Sequence, residues 1–376
     1  MIYLDNAATT QPELDCLEEA KQFLYENYYN PSALYAEGYN LHAQLKTIRK
    51  NILNLIADDV NHELIFTSGG TEADNHALFS CAKRGNIVIS AGEHSAIYET
   101  AMELKQRGIE VRIAPLDNFG AVKTDELLSL VDEKTSIVSV MHVNNETGAV
   151  NLIEDISSKV KKKNKYTIFH SDGVQAFGKL PYFKITNDID LYSISAHKIG
   201  GVKGVGALIK KKKFALKPFI YGGGQENGLR SGTENLFAIK NLELCAVKKY
   251  KNLLDNYYHA KELHSNFIRH LDKSNIKFIM SELRSPFILT LMIEGVRGET
   301  IMHELNDLGI IVGTGSACSS NKKKRYSRTI LACGIDERYA DGILRISFSN
   351  NNTVDEIVKA CNIINQVVKR RKEIMQ

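Results

Sequence analysis

The residues best suited to covalent chemistry are a lysine and an aspartate that each follow a strand-like apolar segment. Lys198 ends the run Ser193–Lys198, and Asp172 precedes a glycine at the end of the previous apolar segment. A lysine amine forms a Schiff base with the aldehyde of pyridoxal phosphate, and a carboxylate keeps the pyridine nitrogen protonated so that the ring accepts electrons. A lone lysine is usually a solvated surface charge, but this pair predicts a pyridoxal phosphate site.

A glycine turn between a strand-like segment and a helix start offers a place for a phosphate group. Residues Thr67–Asn75 contain two successive glycines, and the free amides of the helix start would bind a phosphate together with the Thr71 hydroxyl. Neither this segment nor the glycines at 200–206 match a nucleotide-binding loop or a dinucleotide-binding fingerprint. An ordinary capped helix is the alternative interpretation.

Strand-like and helix-like patterns alternate from about residue 60 to 210. Strands are predicted at Glu63–Thr67, Ile87–Ala91, Glu110–Ala114, Ser136–His142, Thr167–His170 and Leu191–Ser195, and helices at Thr71–Arg84, Ser95–Arg107 and Ile153–Lys163. This order predicts a mainly parallel sheet with helices on both faces and ligands at the carboxyl ends of the strands. Polar residues that follow strands should therefore converge, namely Thr67, Asn144, Asp172 and His197.

The last third of the chain has a different pattern. A helical pattern from Thr233 to Leu271 predicts one long connecting helix, and beyond it lie predicted strands at 287–294 and 344–348 and helices at 299–308 and 354–371. We therefore predict a large domain over residues 14–255. A smaller α+β domain would comprise residues 1–13 and 256–376.

The charge and the apolar runs of the sequence exclude some classes of function. A net charge of +4 is too small to indicate nucleic acid binding. The lysine runs are most simply interpreted as solvent-exposed surface. The longest apolar runs are too short to span a bilayer, and the first residues lack the pattern of a signal peptide. The sequence thus predicts a cytoplasmic protein without a membrane partner.

The cysteines lack the spacing of a metal site, and a cytosolic chain would keep them reduced. Cys81, Cys245 and Cys361 fall in helical patterns and are predicted to pack as small apolar groups. Cys318 lies instead among the small residues of 313–320, without apolar periodicity. An accessible thiol of this kind is a candidate reactive group.

Segments spread along the chain resemble one family. They are Tyr3–Thr10, Asn30–Ser32, Thr67–Asn75, Glu93–His94, Asn144–Gly148, Asp172–Gln175, Ser195–Lys198, Gly222–Glu226, Leu229–Thr233, Gly315–Cys318 and Arg345–Ser347. In this order they resemble the cysteine desulfurases of the class V aminotransferase group, whose fold is that of type I pyridoxal phosphate enzymes. The resemblance implies an α/β fold: a large domain with a mainly parallel, seven-stranded type of sheet flanked by helices, and a smaller α+β domain.

The resemblance also implies a role for each matching residue. Lys198 would carry the cofactor, His94 would stack on its ring, and Cys318 would accept the sulfur. The cofactor-binding set would be Gly70, Thr71, His94, Asn145, Asp172, Gln175, Ser195, His197, Lys198 and, from a neighbouring subunit, Thr233. Asn145 and Arg345 would bind the substrate carboxylate, Arg345 through a bidentate pair. The alternatives are that Asp172 and Arg345 are members of structural ion pairs and that His94 or His170 is a packed histidine. Packing is favoured for His170 alone.

The activity implied is removal of sulfur from L-cysteine to give L-alanine and a persulfide on Cys318. A homodimer using pyridoxal 5'-phosphate would then pass the sulfur to an acceptor protein, either an iron–sulfur scaffold or a tRNA-thiolating enzyme, without binding nucleic acid directly. Tyr35, Val202 and Asn227 depart from the family pattern, and residues 321–326 are unusually basic. None of these departures removes a catalytic group, so they concern the acceptor.

Two other hypotheses compete with this function. A related lyase or transaminase of the same fold would act on selenocysteine or another amino acid, and Cys318 argues against transamination, which has no use for a thiol. A non-catalytic sulfur-relay or RNA-binding scaffold would not need Lys198 and Asp172, and both are present.

Overall fold

The computed structural model describes residues 1–83, 85–314 and 326–375. Its strands are β1 (Ile2–Leu4), β2 (His62–Thr67), β3 (Asn86–Ser90), β4 (Glu110–Ala114), β5 (Thr135–Ser139), β6 (Ile168–Asp172), β7 (Leu191–Ser195), β8 (Gly206–Lys211), β9 (Lys277–Ile279), β10 (Ile288–Met292), β11 (Ile310–Thr314) and β12 (Ile343–Ser347). Its helices are α1 (Leu14–Glu26), α2 (Ala36–Leu53), α3 (Gly70–Cys81), α4 (Ser95–Gln106), α5 (Thr124–Ser129), α6 (Ile153–Lys163), α7 (Leu236–Lys251), α8 (Leu253–His270), α9 (Gly298–Asp307), α10 (Arg328–Ala332), α11 (Glu337–Ala340) and α12 (Val354–Met375).

A seven-stranded sheet in the order β2-β8-β7-β6-β5-β3-β4 forms the larger layer. The pairs among β7, β6, β5, β3 and β4 are parallel, and only β8 runs antiparallel, against both β2 and β7. Every residue of β3 and β7 is buried, as expected for strands covered by helices on both faces. The predicted α/β class with a mainly parallel sheet is confirmed.

A second, five-stranded sheet has the order β1-β11-β12-β10-β9. Its β1 pairs in parallel with β11, so the first residues of the chain lie beside strands some 300 positions later. Apolar residues of α8 and α12, including Phe267 and Ile364, share one buried cluster with this sheet. The domain limits at residues 14–255 stay a prediction, but the two sheets do divide the strands in this manner.

The single long helix predicted for Thr233–Leu271 is wrong. The structure has α7 and α8, separated at Asn252, whose φ of −111° and ψ of 22° are not helical. The Asn252 side-chain Nδ2 donates to the Lys248 carbonyl at 3.1 Å, so the side chain competes for a backbone acceptor. The helix predicted to run to residue 84 likewise ends earlier, at Cys81.

The helices α1 and α2 were not predicted, although a signal for α2 was present. Its buried residues Leu41, Leu45, Ile48 and Ile52 recur at helical spacing. Within the described part of the chain, no helix is both long and apolar enough to cross a bilayer.

Candidate active site

One cavity of about 350 Å³ lies at the carboxyl ends of the parallel strands. That volume is within the usual range for a small-molecule site. Its lining includes Gly70, Thr71, His94, Asn145, Asp172, Gln175, Ser195, His197, Lys198 and Arg345. The cavity therefore brings together the residues predicted to bind cofactor or substrate, apart from Thr233.

Lys198 reaches this cavity from the short turn after β7. Its Nζ donates to the carbonyl oxygens of Ala7 and Ala8, both at 2.7 Å. These carbonyls belong to the segment that leaves β1, so the N-terminal segment forms one wall of the cavity. Lys198 is thus held at the cavity by contacts that include these two backbone carbonyls.

Asp172 is the last residue of β6 and is buried. Its Oδ1 accepts a hydrogen bond from the Val174 amide at 2.9 Å. Burial raises the pKa of Asp172, and the nearby His94 and Lys198 oppose that rise. The next residue must be glycine, because a Cβ at Gly173 would lie 1.9 Å from the Tyr192 ring. A carboxylate in this position suits a protonated ring nitrogen.

A second buried carboxyl group, Asp74, lies beside Asp172. One ligand-capable atom each of Asp74, His94 and Asp172 lies within 4.8 Å of the other two. Burial first, and then the charge of Asp172, raises the pKa of Asp74 well above its usual range. Two carboxyl groups this close cannot both be ionised without a large cost, so the pair favours binding one proton.

His94 caps the N-terminus of α4. Its Nδ1 accepts from the Ala96 amide at 3.2 Å, which places the ring proton on Nε2. Burial lowers the pKa of His94, with Lys198 contributing in the same direction. The ring is therefore neutral at pH 7 and is suited to stack against a planar aromatic ligand.

The start of α3 forms a cradle for a phosphate. A Cβ at Gly70 would lie 2.7 Å from Val174 Cγ2, so a larger residue would close the approach to the helix amides. Ser195 Oγ is buried and has no hydrogen-bond partner within residues 1–83, 85–314 and 326–375. Burial, followed by the charge of Lys198, lowers the pKa of His197 to about 4. The neutral His197 and the hydroxyls of Thr71 and Ser195 are suitable hydrogen-bonding groups for the phosphate of pyridoxal phosphate.

Arg345 enters from β12 of the second sheet and is buried. Its Nη2 lies 2.7 Å from Asp5 Oδ1, and its Nη1 donates to the Asn145 carbonyl at 3.0 Å. The buried Arg345 Nε has no partner in the described ranges. Gly313 leaves room for this pair, because a Cβ there would lie 2.7 Å from Asp5 Oδ1.

The remaining predicted residues have different outcomes. Thr233 is exposed, precedes α7 and does not line the cavity. Cys318 lies outside the described residues. His170, expected to be packed, is fully buried between the hydroxyls of Ser139 and Ser193 at 2.9 and 3.0 Å, and burial lowers its pKa to about 3.

Three residues near the cavity were not singled out from the sequence. Asp74 lies one helical turn after Thr71, and Lys179 lies four residues after Gln175, so spacing could have indicated both. Asp5 meets Arg345 only because β1 pairs with β11 next to β12, and no local pattern indicates that contact.

Comparison with known proteins gives a consistent family. The aminotransferase class-V family model matches residues 2–359. The chain is 37% identical over 365 residues to a "NifS/IcsS protein homolog" of Lactobacillus delbrueckii subsp. bulgaricus, covering 95% of this chain and 94% of that protein. It is 35% identical over 384 residues to a "Cysteine desulfurase IscS" of Clostridium botulinum, covering 99% and 96%. A solved structure titled "NIFS-LIKE PROTEIN" has 34% identity and a TM-score of 0.91, over 98% of this chain and 99% of that one.

Proposed function

This chain belongs to the class V aminotransferase family and is a cysteine desulfurase, and we propose that it uses pyridoxal phosphate bound through Lys198 and delivers sulfur through Cys318. One observation carries the proposal: Lys198, Asp172 and Arg345 line the same cavity. An amine for covalent attachment, a carboxylate for a ring nitrogen and a guanidinium for a substrate carboxylate are the groups that this reaction needs.

When bound, pyridoxal phosphate supplies an electron sink that makes the bond between the β-carbon and sulfur of L-cysteine breakable. Binding and orientation depend on residues of this protein. The phosphate would be held by Thr71, Ser195, His197 and the amides at Gly70, and Gln175 would donate to the ring oxygen. The neutral His94 would cover the ring, and its Nε2–H would be a hydrogen-bond donor on that side.

Asn145 and Arg345 hold the substrate carboxylate and thereby orient the substrate. Lys198 moves the proton of the substrate α-carbon. In the structure its Nζ donates to the carbonyls of Ala7 and Ala8, so the amine lies at the cavity that the substrate would enter.

Sulfur transfer requires a thiolate, and we assign this role to Cys318. The thiolate attacks the sulfur of the substrate, a sulfur–sulfur bond forms, and the carbon–sulfur bond breaks with its electron pair left on the carbon skeleton. That skeleton takes up protons and leaves as L-alanine, while Cys318 keeps the persulfide. An acceptor protein then removes the outer sulfur.

The test of these roles uses two variants and purified holoprotein. Cys318→Ala should keep the visible absorbance of bound cofactor but form no persulfide, which mass spectrometry detects as the added mass of one sulfur atom. Lys198→Ala should bind cofactor without a link that borohydride makes permanent. Persulfide in the first variant, or a reducible link in the second, would show that the wrong residue was chosen.

We propose that the working form is a homodimer in which Thr233 completes the phosphate site of the other copy. Thr233 lies outside the cavity of its own chain, and a patch of exposed side chains on α1 and before α2 is available for an interface: Tyr25, Tyr28 and Leu34 are 80%, 72% and 84% exposed.

Mixed dimers test this arrangement. In a dimer of Lys198→Ala and Thr233→Val chains, Thr233 acting across the interface leaves one site fully wild type, so activity should return on mixing. If Thr233 acts within its own chain, both sites stay defective and mixing restores nothing.

The acceptor is proposed to be an iron–sulfur scaffold or a tRNA-thiolating enzyme. Transfer of labelled sulfur from the persulfide form to each purified candidate would decide between them. We propose the cytoplasm as the compartment, because Cys16, Cys81, Cys245, Cys333 and Cys361 are buried free thiols, as expected in a reducing environment.

A further inference from the structure

A buried lysine next to the cofactor cavity has no role in the reaction described above. Lys179 follows β6 by seven residues and is only 8% exposed. Within the described ranges it has no carboxylate at salt-bridge distance; the ion pairs nearby use Lys248 and Lys249 instead. Burying an ammonium without an anionic partner is costly, which points to a specific use.

Lys179 contacts one residue of the predicted cofactor-binding set. Its Nζ donates to Gln175 Oε1 at 2.9 Å, and Gln175 Nε2 donates to the Ala7 carbonyl at 2.8 Å. The same Ala7 carbonyl accepts from Lys198 Nζ at 2.7 Å. A continuous chain of hydrogen bonds therefore runs from Lys179 through Gln175 to the residue that carries the cofactor.

The chemistry of the two side chains fixes the orientation of the amide. A lysine ammonium has only donors, so the atom facing it must be the amide oxygen of Gln175. The amide nitrogen then faces the opposite way, toward Ala7 and the cavity that Gln175 lines. Of its two N–H groups one is donated to Ala7, and the second remains for a ligand in the cavity.

The charge on Lys179 does not decide this argument. Burial, followed by the charges of Lys198, Lys249 and Arg345, lowers the pKa of Lys179 to about 7. The neutral amine still has N–H groups, so it can donate to Gln175 Oε1 on either side of that pH.

We propose that Lys179 is a positioning residue, which holds the Gln175 amide so that an N–H group faces the ring oxygen of the bound pyridoxal phosphate. This inference rests on the proposed function. An N–H donor at that oxygen favours its ionised form, so the orientation of one amide influences both cofactor affinity and the pH at which the bound cofactor titrates.

The experiment compares four proteins: wild type, Lys179→Met, Lys179→Gln and Gln175→Ala. The apoproteins are titrated with pyridoxal phosphate, and the visible absorbance of each holoprotein is followed against pH. Lys179→Met removes the donor, so we expect about tenfold weaker cofactor binding and a spectral pKa higher by about one unit. Lys179→Gln keeps a donor of shorter reach and is the matched control, expected to stay within about threefold of wild-type affinity.

A double substitution tests whether the effect passes through Gln175. Adding Lys179→Met to Gln175→Ala should change neither the affinity nor the spectral pKa further, because the amide to be positioned is gone. A full additional shift in the double variant would overturn the inference, as would wild-type values in Lys179→Met. Lys179→Ala is prepared in parallel, so that poor folding of the methionine variant does not leave the question open.

The outcomes also separate this inference from the proposed function. A wild-type protein that takes up no coloured cofactor contradicts the proposed function itself. A wild-type protein that titrates normally, beside an unchanged Lys179→Met variant, contradicts only the role of Lys179.

Discussion

Replacing Arg345 by lysine tests whether this residue binds the substrate carboxylate or only stabilises the fold. Lysine keeps the positive charge but loses the planar pair of N–H donors that matches a carboxylate. A hydrogen bond to a charged group contributes about 1.5–3 kcal/mol. At about 1.4 kcal/mol per factor of ten, kcat/KM for L-cysteine should fall roughly 10- to 150-fold.

The competing explanation is that Arg345 serves only as the partner of Asp5. The two side chains are 5% and 18% exposed and lie 2.7 Å apart, so loss of the Asp5 charge leaves a buried guanidinium without its anion. Such a loss is strongly destabilising. We therefore expect Asp5→Asn to lower the melting temperature more than Arg345→Lys, which keeps a cation beside Asp5.

The two measurements should thus rank the variants in opposite orders. Alanine formation at varied L-cysteine concentration gives kcat/KM, and calorimetry of the same preparations gives the melting temperature. Cysteamine, which lacks the carboxylate, is the substrate control: Arg345→Lys should not weaken its binding. An equal loss of kcat/KM in Asp5→Asn, or weaker cysteamine binding in Arg345→Lys, would refute the assignment of Arg345 to the carboxylate.

Three further predictions concern buried groups around the cavity. Ser195→Ala should weaken pyridoxal phosphate binding by about tenfold but leave the apoprotein at least as stable, because it removes a buried hydroxyl without a partner in the described part of the chain; cofactor titration and calorimetry check both. Burial raises the pKa of Glu93 from 4.5 to about 8, so the native state retains a proton that the unfolded chain releases, and stability falls as pH rises across that window. Glu93→Gln should remove this dependence of the unfolding free energy on pH, as measured by urea unfolding of the apoprotein between about pH 5 and 8. An unchanged slope would contradict the buried-acid assignment. Gly173→Ala should lower stability by about 1–3 kcal/mol or more, because its Cβ would overlap the Tyr192 ring at 1.9 Å, and a wild-type melting temperature would show that the ring moves aside freely.

Much of the cavity could be predicted because its residues sit at the ends of parallel strands. Asp172 ends β6 and Lys198 follows β7, and these strands are neighbours in the sheet. The alternation of strands and helices is enough to place such residues at one edge. Thr71 follows β2 in the same way, on the first turn of α3. For these residues a local pattern carries three-dimensional information.

Other features could not be predicted because they depend on contacts between distant segments. The break between α7 and α8 depends on how one asparagine side chain competes for a backbone carbonyl, and helical periodicity continues across it. The contact of Asp5 with Arg345 requires β1 to join a sheet whose other strands come from the end of the chain. Local sequence patterns contain neither fact.

The N-terminal segment explains how the two sheets contribute to one site. Asn6 Nδ2 donates to the Ser347 carbonyl at 2.9 Å and the Ala7 amide donates to Ser347 Oγ at 2.8 Å, which fixes the segment to the end of β12. On its other side the Ala7 carbonyl accepts from both Lys198 and Gln175, which follow β7 and β6 of the seven-stranded sheet. Because these bonds involve consecutive residues, a shift of β12 relative to the larger sheet would disturb them together. This short segment therefore helps to set the distance between the group that binds the substrate carboxylate and the group that moves its proton.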